Sequence, residues 1–385
     1  MPVRTTGPEE IHQLTCPGQG GALDHGPILI VGASGRAAAQ SARRAGVKVG
    51  VADLFGDVDL RQCASFHPLP VGRYPAEIAR LVRNLSSHYA AAAYVGAIEN
   101  YPEIVDEMSA NLPLLGNPAD TLRVVRDPER FATEFAARHW PTARITLNRP
   151  PAVADGGRWL CKPFRSAGGN GIQFTHDSNT DKVRSDVYYQ QFIPGIGYSG
   201  SYVANGSRCR LLGVCQQLAG RNKSSHRDAA PFRYVGSIGP LSMPPDFQMA
   251  WQQLGQSATE AFQLRGVFGI DTIVTEQQTI IPLEVNPRFT ASMELIDRGC
   301  DISCFGTHVA ACTTGELPGA TIIATSLWEK QIVYARRAFR VSERCLATLL
   351  NGDRDWCYAD IPPAESTIRA GQPITTRLRL VNRDT

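Results

Sequence analysis

The sequence predicts a mixed α/β and α+β protein, with an N-terminal doubly wound α/β domain followed by a β-rich region. Residues 27–35 (PILIVGASG) read as an apolar strand that runs into a glycine turn. The segments RAAAQSARRAG and VKVGVAD then read as a helix and a second strand, which makes a βαβ opening with a parallel sheet. After Arg158 the chain changes to short β-prone runs separated by turns, which favours antiparallel pairing.

The first domain is predicted to span residues 27–116. AAAAYVGAIE reads as a further strand, NYPEIVDEMSAN as a helix and LPLLGN as a strand with its exit. Residues 1–26 are rich in Gly, Pro and Thr and lack the basic-then-apolar layout of a signal peptide. We expect them to be a flexible arm.

The second region is predicted to span residues 117–320. Two helical segments come first, and Asp127-Pro128 marks the start of the second one. A small β-rich subdomain at about 158–195 follows. After further strands come an amphipathic helix, DFQMAWQQLGQSATEAF, and a hairpin of GVFGIDTIVT and TIIPLEVN. Residues 321–385 carry two strand signals and are predicted to form a C-terminal β-rich segment.

Bulk composition is that of a soluble globular protein. The 385 residues are 43% apolar and 19% charged, and the formal charge of +3 gives no nucleic-acid or membrane signature. We see no apolar run long enough to span a bilayer. Ten cysteines occur without a CxxC pair, which indicates reduced thiols in a cytoplasmic protein. The sequence does not determine the oligomeric state, and a homodimer is one arrangement that we consider.

One group of cysteines recurs with helical spacing. Cys300, Cys304, His308 and Cys312 are four residues apart, so on a helix they would share a drifting stripe. A metal site is one interpretation. Small buried thiols on a helix face are the interpretation we favour.

The first candidate for ligand binding is GASGR, residues 32–36. Its glycines and the following helix N-terminus could hold an anion, and Asp53 ends the next strand as a ribose-binding acid would. The spacing does not meet the dinucleotide pattern GxGxxG, so a tight strand-to-helix turn is an equal alternative.

The second candidate is WLCKPFRSAGGNGIQF, residues 159–174. A strand delivers Lys162, and the segment SAGGNG (Ser166 to Gly171) forms a loop that can fold over a ligand. Backbone N–H groups of Gly168, Gly169 and Gly171 can approach phosphate oxygens because no Cβ intervenes. Lys162 adds a point charge beside them. The alternative is a simple glycine hairpin.

The third candidate is LEVNPR, residues 283–288. Side chains alternate along a strand, so Glu284, Asn286 and Arg288 share one face. A carboxylate and an amide oxygen side by side suit a hard cation such as Mg²⁺ (or Mn²⁺). The hairpin could place Asp271 beside Glu284. A solvated, salt-bridged strand face is the alternative.

Taken together, a lysine with a glycine-rich loop, QQFIPG, GID and LEVNPR resemble the ATP-grasp superfamily in order and spacing. The resemblance covers about residues 27–320. The chain is more closely similar to the subset of predicted ATP-dependent carboxylate–amine ligases through stretches such as GNPADTLRVVRDPERF, PFRYVGSIGPL and LEVNPRFTASMEL. It implies a two-subdomain ATP-grasp fold that binds ATP and Mg²⁺.

The resemblance also implies roles for individual residues. Lys162 and Arg288 would act on the transferred phosphoryl group, and the carboxylate substrate would become an acyl phosphate that an amine then attacks. Cofactor-binding positions would be Lys162, Ser166, Gly168, Gly169, Gly171, Gln190, Gln191 and Ile193. Gln190 would meet the adenine amino group, and backbone groups of Gln191 and Ile193 would read the adenine edge. Metal ligands would be Asp271, Glu284 and Asn286. Similar proteins are associated with one-carbon carrier cofactor pathways of the methanopterin or methanofuran type.

Two positions depart from the family pattern. Gly197 stands where many members have a ribose-binding glutamate. An earlier lysine of many members has no counterpart, and Arg123, Arg126 and Arg130 are the nearby basic residues that could replace it.

Two features of the sequence bear on substrate recognition. Glu99 and Asn100 follow a strand at the carboxyl end of the first sheet, where Glu99 could hold an amine, although a helix cap is the interpretation we favour. The basic loop at residues 221–234 could cover an acidic ligand. A nucleotide-binding protein without ligase activity and a Rossmann-type oxidoreductase remain as alternatives.

Overall fold

The structure is a computed structural model, and it describes residues 26–150, 158–175, 185–219, 231–319 and 321–381. Most of the basic loop, residues 221–230, and the N-terminal arm up to residue 25 lie outside these ranges.

The N-terminal domain is built on four parallel strands in the order β3-β2-β1-β4. Its strands and helices are β1 (Ile28–Val31), α1 (Arg36–Arg44), β2 (Val49–Asp53), α2 (Val58–Arg61), β3 (Ser65–Pro68), α3 (Glu77–Leu85), β4 (Ala91–Tyr94) and α4 (Pro102–Ser109). β1 and β4 are buried throughout, as expected for a parallel sheet covered on its faces.

A helical connection and a small antiparallel sheet follow. They comprise α5 (Ala119–Val125), α6 (Pro128–Ala137), β5 (Ile145–Thr146), β6 (Trp159–Pro163), β7 (Gln173–Phe174) and β8 (Val187–Gln191). The strand order is β5-β8-β6-β7. Helix α6 begins where the sequence predicted, because Asp127 accepts hydrogen bonds from the N–H groups of Glu129 and Arg130.

The large sheet has eight strands in the order β13-β12-β9-β10-β11-β14-β18-β16, and its assigned pairs are antiparallel. The elements up to residue 313 are β9 (Ile196–Asn205), β10 (Cys209–Ala219), β11 (Tyr234–Gly239), α7 (Pro245–Phe262), β12 (Arg265–Val274), β13 (Ile280–Asn286), α8 (Met293–Gly299) and α9 (Cys304–Thr313). The fold class predicted from the sequence is confirmed: a parallel N-terminal sheet is followed by antiparallel sheets.

The C-terminal segment joins that sheet. Its elements are β14 (Leu327–Tyr334), β15 (Phe339–Arg340), α10 (Glu343–Asn351), β16 (Cys357–Ala359), β17 (Thr367–Ile368) and β18 (Pro373–Val381). β14 pairs with β11, so three C-terminal strands continue the sheet that carries β12 and β13. The domain boundaries drawn from the sequence stay predictions.

Some elements differ from the sequence predictions. LPLLGN is not a strand, because only Leu114 forms an isolated bridge, to Ala92. Strand β3 and helices α2, α3 and α10 were not predicted from the sequence. β3 exposes part of every side chain, so it lacks the apolar signal of a buried strand.

Candidate active site

The centre of the site is a pair of carboxylates on neighbouring strands. Asp271 of β12 and Glu284 of β13 are direct partners in the ladder. Asn286 Nδ2 donates to Asp271 Oδ2 at 2.9 Å, and Gln217 of β10 donates to Asp271 Oδ1 at 2.6 Å. The short connection between β12 and β13 brings the two acids together, as the hairpin predicted.

The pKa values of the two carboxyl groups are shifted in opposite directions. Burial, and then the charge of Glu284, raise the pKa of Asp271 to about 7. Burial also opposes ionisation of Glu284, but Lys162 and Arg126 outweigh it and lower the pKa of Glu284 to about 2. Two carboxylates and an amide oxygen form a set of oxygen donors that a hard divalent cation would fit.

Three cationic side chains surround this pair. Lys162 is 7% exposed, and its Nζ donates to Gln190 Oε1 at 3.1 Å. Burial opposes its charge, but Tyr188 and Glu284 outweigh burial and raise the pKa of Lys162. Arg126 Nη1 lies 3.6 Å from Glu284 Oε2. The buried Nε of Arg126 has no partner among the described residues, so this arginine keeps a donor for an anion.

Arg288 is the third cation, and the N-terminal domain holds it. Its Nε donates to Glu99 Oε1 at 2.7 Å, and its Nη2 lies 3.5 Å from Asn286 Oδ1. Glu99 is 1% exposed, and its Oε2 has no partner among the described residues. No side-chain cap bond is made at the start of α4, so the favoured interpretation of Glu99 as a helix cap is wrong.

The glycine loop, Ser166 to Gly171, packs against two other segments. Gly168, Gly169 and Gly171 have φ of +60°, +74° and +76°, where a side chain is disfavoured. A Cβ on Gly169 would lie 1.9 Å from the Phe232 carbonyl oxygen. The Gly168 carbonyl accepts from Tyr234 N at 2.9 Å, and the Ser166 hydroxyl donates within the loop to Asn170 O. The glycines therefore permit both the turn and the close approach to the segment around residue 232.

The predicted nucleotide-base positions lie at the end of β8. Gln190 is buried, and its amide oxygen is engaged by Lys162. The Gln191 N–H donates to Arg144 O at 2.9 Å, and Ile193 lies just beyond the strand. A small cavity of about 20 Å³ lies between Tyr188 of β8 and the pair of Arg126 and Glu284; its other lining residues are Val125, Pro128, Phe131, Phe164 and Leu283. A space of this size holds about one water molecule, so it does not by itself accommodate a nucleotide base.

Of the three arginines that the sequence left open, one lies beside the carboxylate pair. Arg123 pairs with Asp106 and Asp120 on the surface, and Arg130 is exposed. Arg126 alone of the three approaches Glu284. Gln217, which also contacts the site, was not predicted because it belongs to no motif and is placed there by cross-strand register. The sequence places Asn100 at the strand end beside Glu99, but it predicts no role for Asn100.

In the GASGR turn, the N–H groups of Gly32, Ala33 and Gly35 already have acceptors within the protein. Asp53 Oδ2 accepts from Gly35 N at 3.0 Å, so the acid binds the turn itself. Arg36 is 1% exposed and is paired with Glu294 and Asp360. The tight-turn interpretation fits these contacts, and Arg36 joins the N-terminal domain to α8 and the C-terminal segment.

The cysteine stripe is interrupted, because α8 ends at Gly299 and α9 begins at Cys304. His308 Nδ1 accepts from Val267 N at 3.0 Å, and Nε2 lies 3.2 Å from Leu115 O. Both ring nitrogens thus serve backbone groups. Within the described ranges, no group of three or more His, Cys, Asp or Glu side chains could hold a metal.

Because His308 is buried, we expect the free energy of unfolding to fall in acid. Burial lowers the pKa of His308 to about 4, below the ordinary value of about 6.5. The unfolded chain therefore binds this proton first, and stability should fall by about 3 kcal/mol as pH drops from about 6.5 to about 4. Urea unfolding across this range should show a smaller drop for His308→Gln, which can keep one acceptor and one donor. The exposed His88→Gln serves as the control, and equal slopes for the two variants would contradict the prediction.

Residues 136–292 match the family model of the ATP-grasp domain. None of the curated proteins matches the sequence. The resemblance stated above is thereby confirmed for this part of the chain, which is similar to the ATP-grasp domain.

Several solved structures share the fold. N5-carboxyaminoimidazole ribonucleotide synthetase from Thermus thermophilus is 16% identical with a TM-score of 0.68, covering 92% of this chain and 93% of that one. The carboxyaminoimidazole ribonucleotide synthase of Aspergillus clavatus, solved with ATP, is 14% identical with a TM-score of 0.71, covering 93% and 94%. The biotin carboxylase domain of Hydrogenobacter thermophilus 2-oxoglutarate carboxylase, solved with MgADP and bicarbonate, is 12% identical with a TM-score of 0.69, covering 93% and 86%.

Among the described helices, none is long and apolar enough to cross a membrane.

Proposed function

We propose that this protein is an ATP- and Mg²⁺-dependent ligase that activates a carboxylate as an acyl phosphate and joins it to an amine. The observation that carries the proposal is the convergence of Lys162, Arg126 and Arg288 on the Asp271–Glu284 pair. Cations and carboxylates gathered around one point suit a polyphosphate bound together with a divalent metal. Of the three solved neighbours, one contains ATP, another contains MgADP with bicarbonate, and the third is named a synthetase. These ligands and names support the same reaction type.

In this proposal Asp271, Glu284 and Asn286 would hold Mg²⁺, which would neutralise charge on the phosphates. Lys162 and Arg126 would bind phosphate oxygens, since Arg126 keeps a buried donor without a partner among the described residues. Arg288, oriented by Glu99, would face the transferred group. These residues work by positioning and charge stabilisation, because phosphoryl transfer needs little covalent help from the protein.

The glycine loop would keep water away from the acyl phosphate, which water would otherwise hydrolyse. Ser166, Gly168, Gly169 and Gly171 remain its proposed nucleotide contacts. Gln190 would act by fixing Lys162, and the Gln191 and Ile193 backbone would border the base.

Glu99 is our proposed contact for the amine substrate. One of its oxygens holds Arg288 and the other is buried without a described partner, which is costly unless a donor fills it. An amine bound there would stand beside the residue that faces the acyl phosphate. The identity of the carboxylate, bicarbonate included, is decided by the substrate screen below.

Nucleotide binding is the first test. We expect MgATP to raise the melting temperature, because a ligand at 100 times its Kd adds about 2.7 kcal/mol to stability. NAD(P) should leave it unchanged, since the GASGR turn is occupied by Asp53. Differential scanning fluorimetry measures both. Absence of an ATP shift would contradict the ligase and the non-catalytic nucleotide-binding alternative together.

Turnover distinguishes the ligase from the non-catalytic nucleotide-binding protein. ADP release should become amine-dependent in a screen that pairs carboxylates and bicarbonate with amino acids, polyamines and pterin or furan precursors. ATP binding without turnover for any pair would favour the regulatory alternative. AMP as product would contradict the acyl-phosphate route.

A further inference from the structure

Asn100 connects three separate segments around the site. It ends the short 3₁₀ turn Ile98–Asn100 that follows β4 of the N-terminal domain, and it is 8% exposed. Both ends of its side-chain amide make hydrogen bonds to other segments. A buried amide satisfied at both ends holds its partners in fixed relative positions.

The donor end reaches the glycine loop. Asn100 Nδ2 donates to the Ser166 carbonyl oxygen at 3.1 Å. A second link between the same two segments is the ion pair of Arg165 with Glu103 at 3.0 Å, but its side chains are 58% and 51% exposed. An exposed pair of that kind contributes little. Arg165 also lies over the Tyr101 ring at 4.8 Å, which is a third link. Among these described links, the Asn100 bond is the one made by a buried side chain.

The acceptor end reaches the cations. Asn100 Oδ1 accepts from Arg126 Nη2 at 2.9 Å, and the other terminal nitrogen of Arg126 lies 3.6 Å from Glu284 Oε2. Asn100 thus sets the direction in which Arg126 presents its guanidinium. The preceding residue, Glu99, holds Arg288 in the same way. Two consecutive residues of the N-terminal domain therefore orient two of the three cations that the described part of the site contains.

We propose that Asn100 is a positioning residue that closes the glycine loop onto the N-terminal domain and aims Arg126 at the nucleotide phosphates. The proposal rests on the proposed function for the identity of the ligand. Its consequence is that nucleotide retention depends on the domain that presents the substrate. A loop closed by that domain protects the acyl phosphate while the substrate is in place.

Two substitutions distinguish the contributions of the two hydrogen bonds that the Asn100 amide makes. Asn100→Asp keeps an oxygen for Arg126 but cannot donate to the Ser166 carbonyl, whereas Asn100→Ala loses both bonds. We expect both variants to raise hydrogen exchange of the amides of residues 166–171. Both should also release a fluorescent ADP analogue about ten-fold faster, the effect of losing one hydrogen bond of ordinary strength. Asn100→Ala should weaken equilibrium binding of the analogue more than Asn100→Asp does, because it also loses the bond to Arg126.

The control is Asn111→Ala in the same domain, whose amide bonds only to the nearby Glu107 carbonyl among described residues. Melting temperatures without nucleotide verify folding, and the isosteric Asn100→Asp carries the test if Asn100→Ala does not fold. Loop exchange equal to that of wild type in the folded variants would overturn the proposal. This comparison is made on the free protein, so it decides the tether even if the wild type fails to bind the analogue and the proposed function fails.

Discussion

Replacing Glu284 by Gln should reduce ATP turnover by about 100-fold or more while the fold persists. Gln has nearly the same shape, but it removes the charge that pairs with Lys162 and Arg126 and the anionic ligand proposed for Mg²⁺. Asp271 would be left as the single carboxylate of the pair. ADP release with a substrate pair from the screen measures the effect, and the melting temperature reports folding.

The matched control is Glu276→Gln, because Glu276 is exposed in the connection between β12 and β13. It changes the same residue type on the same hairpin and should leave turnover within a factor of about two of wild type, as most surface substitutions do. Full activity of Glu284→Gln would show that the metal assignment is wrong. A MgATP-dependent melting shift retained without turnover would place the defect in the chemical step.

Replacing Lys162 by Met should weaken MgATP binding by about 100-fold. The side chain is buried and its charge is held by Gln190 and Glu284, so a nearly isosteric apolar chain removes the charge and leaves the volume filled. Isothermal titration with MgATP, or with MgADP where hydrolysis interferes, measures the change in Kd. We expect the melting temperature without nucleotide to change much less than the affinity.

Lys48→Met is the control, because Lys48 is exposed at the start of β2, far along the chain from the site. It should bind MgATP like wild type. Unaltered affinity in Lys162→Met would remove this lysine from the nucleotide site. If both variants lost affinity equally, the effect would come from net charge and not from the position of Lys162.

Much of the fold could be predicted from local patterns. The apolar runs of β1 and β4 are buried, as expected for strands of a parallel sheet. β12 and β13 are close in sequence and pair as the predicted hairpin. A short connection limits the register, so the pairing of Asp271 with Glu284 could be predicted. LPLLGN has the same apolar texture as a strand, yet it contributes a single bridge, because local propensity does not determine which edge is free to pair.

Partners far apart along the chain could not be predicted from the sequence. Glu99 and Arg288 are separated by 189 residues and Arg36 and Asp360 by 324, so no local pattern links them. The strand signals of the C-terminal segment were visible, but only the structure shows that β14 pairs with β11 and extends the large sheet.

The sequence by itself determined the local features of the candidate site. Strand alternation places Glu284, Asn286 and Arg288 on one face, and the glycines permit the turns of the loop, because both are local properties. Tertiary structure decided which side chains lie beside them. Arg126, and not Arg123 or Arg130, approaches Glu284, and Asn100 reaches the glycine loop, because packing of the N-terminal domain against α5 and the glycine loop sets those distances.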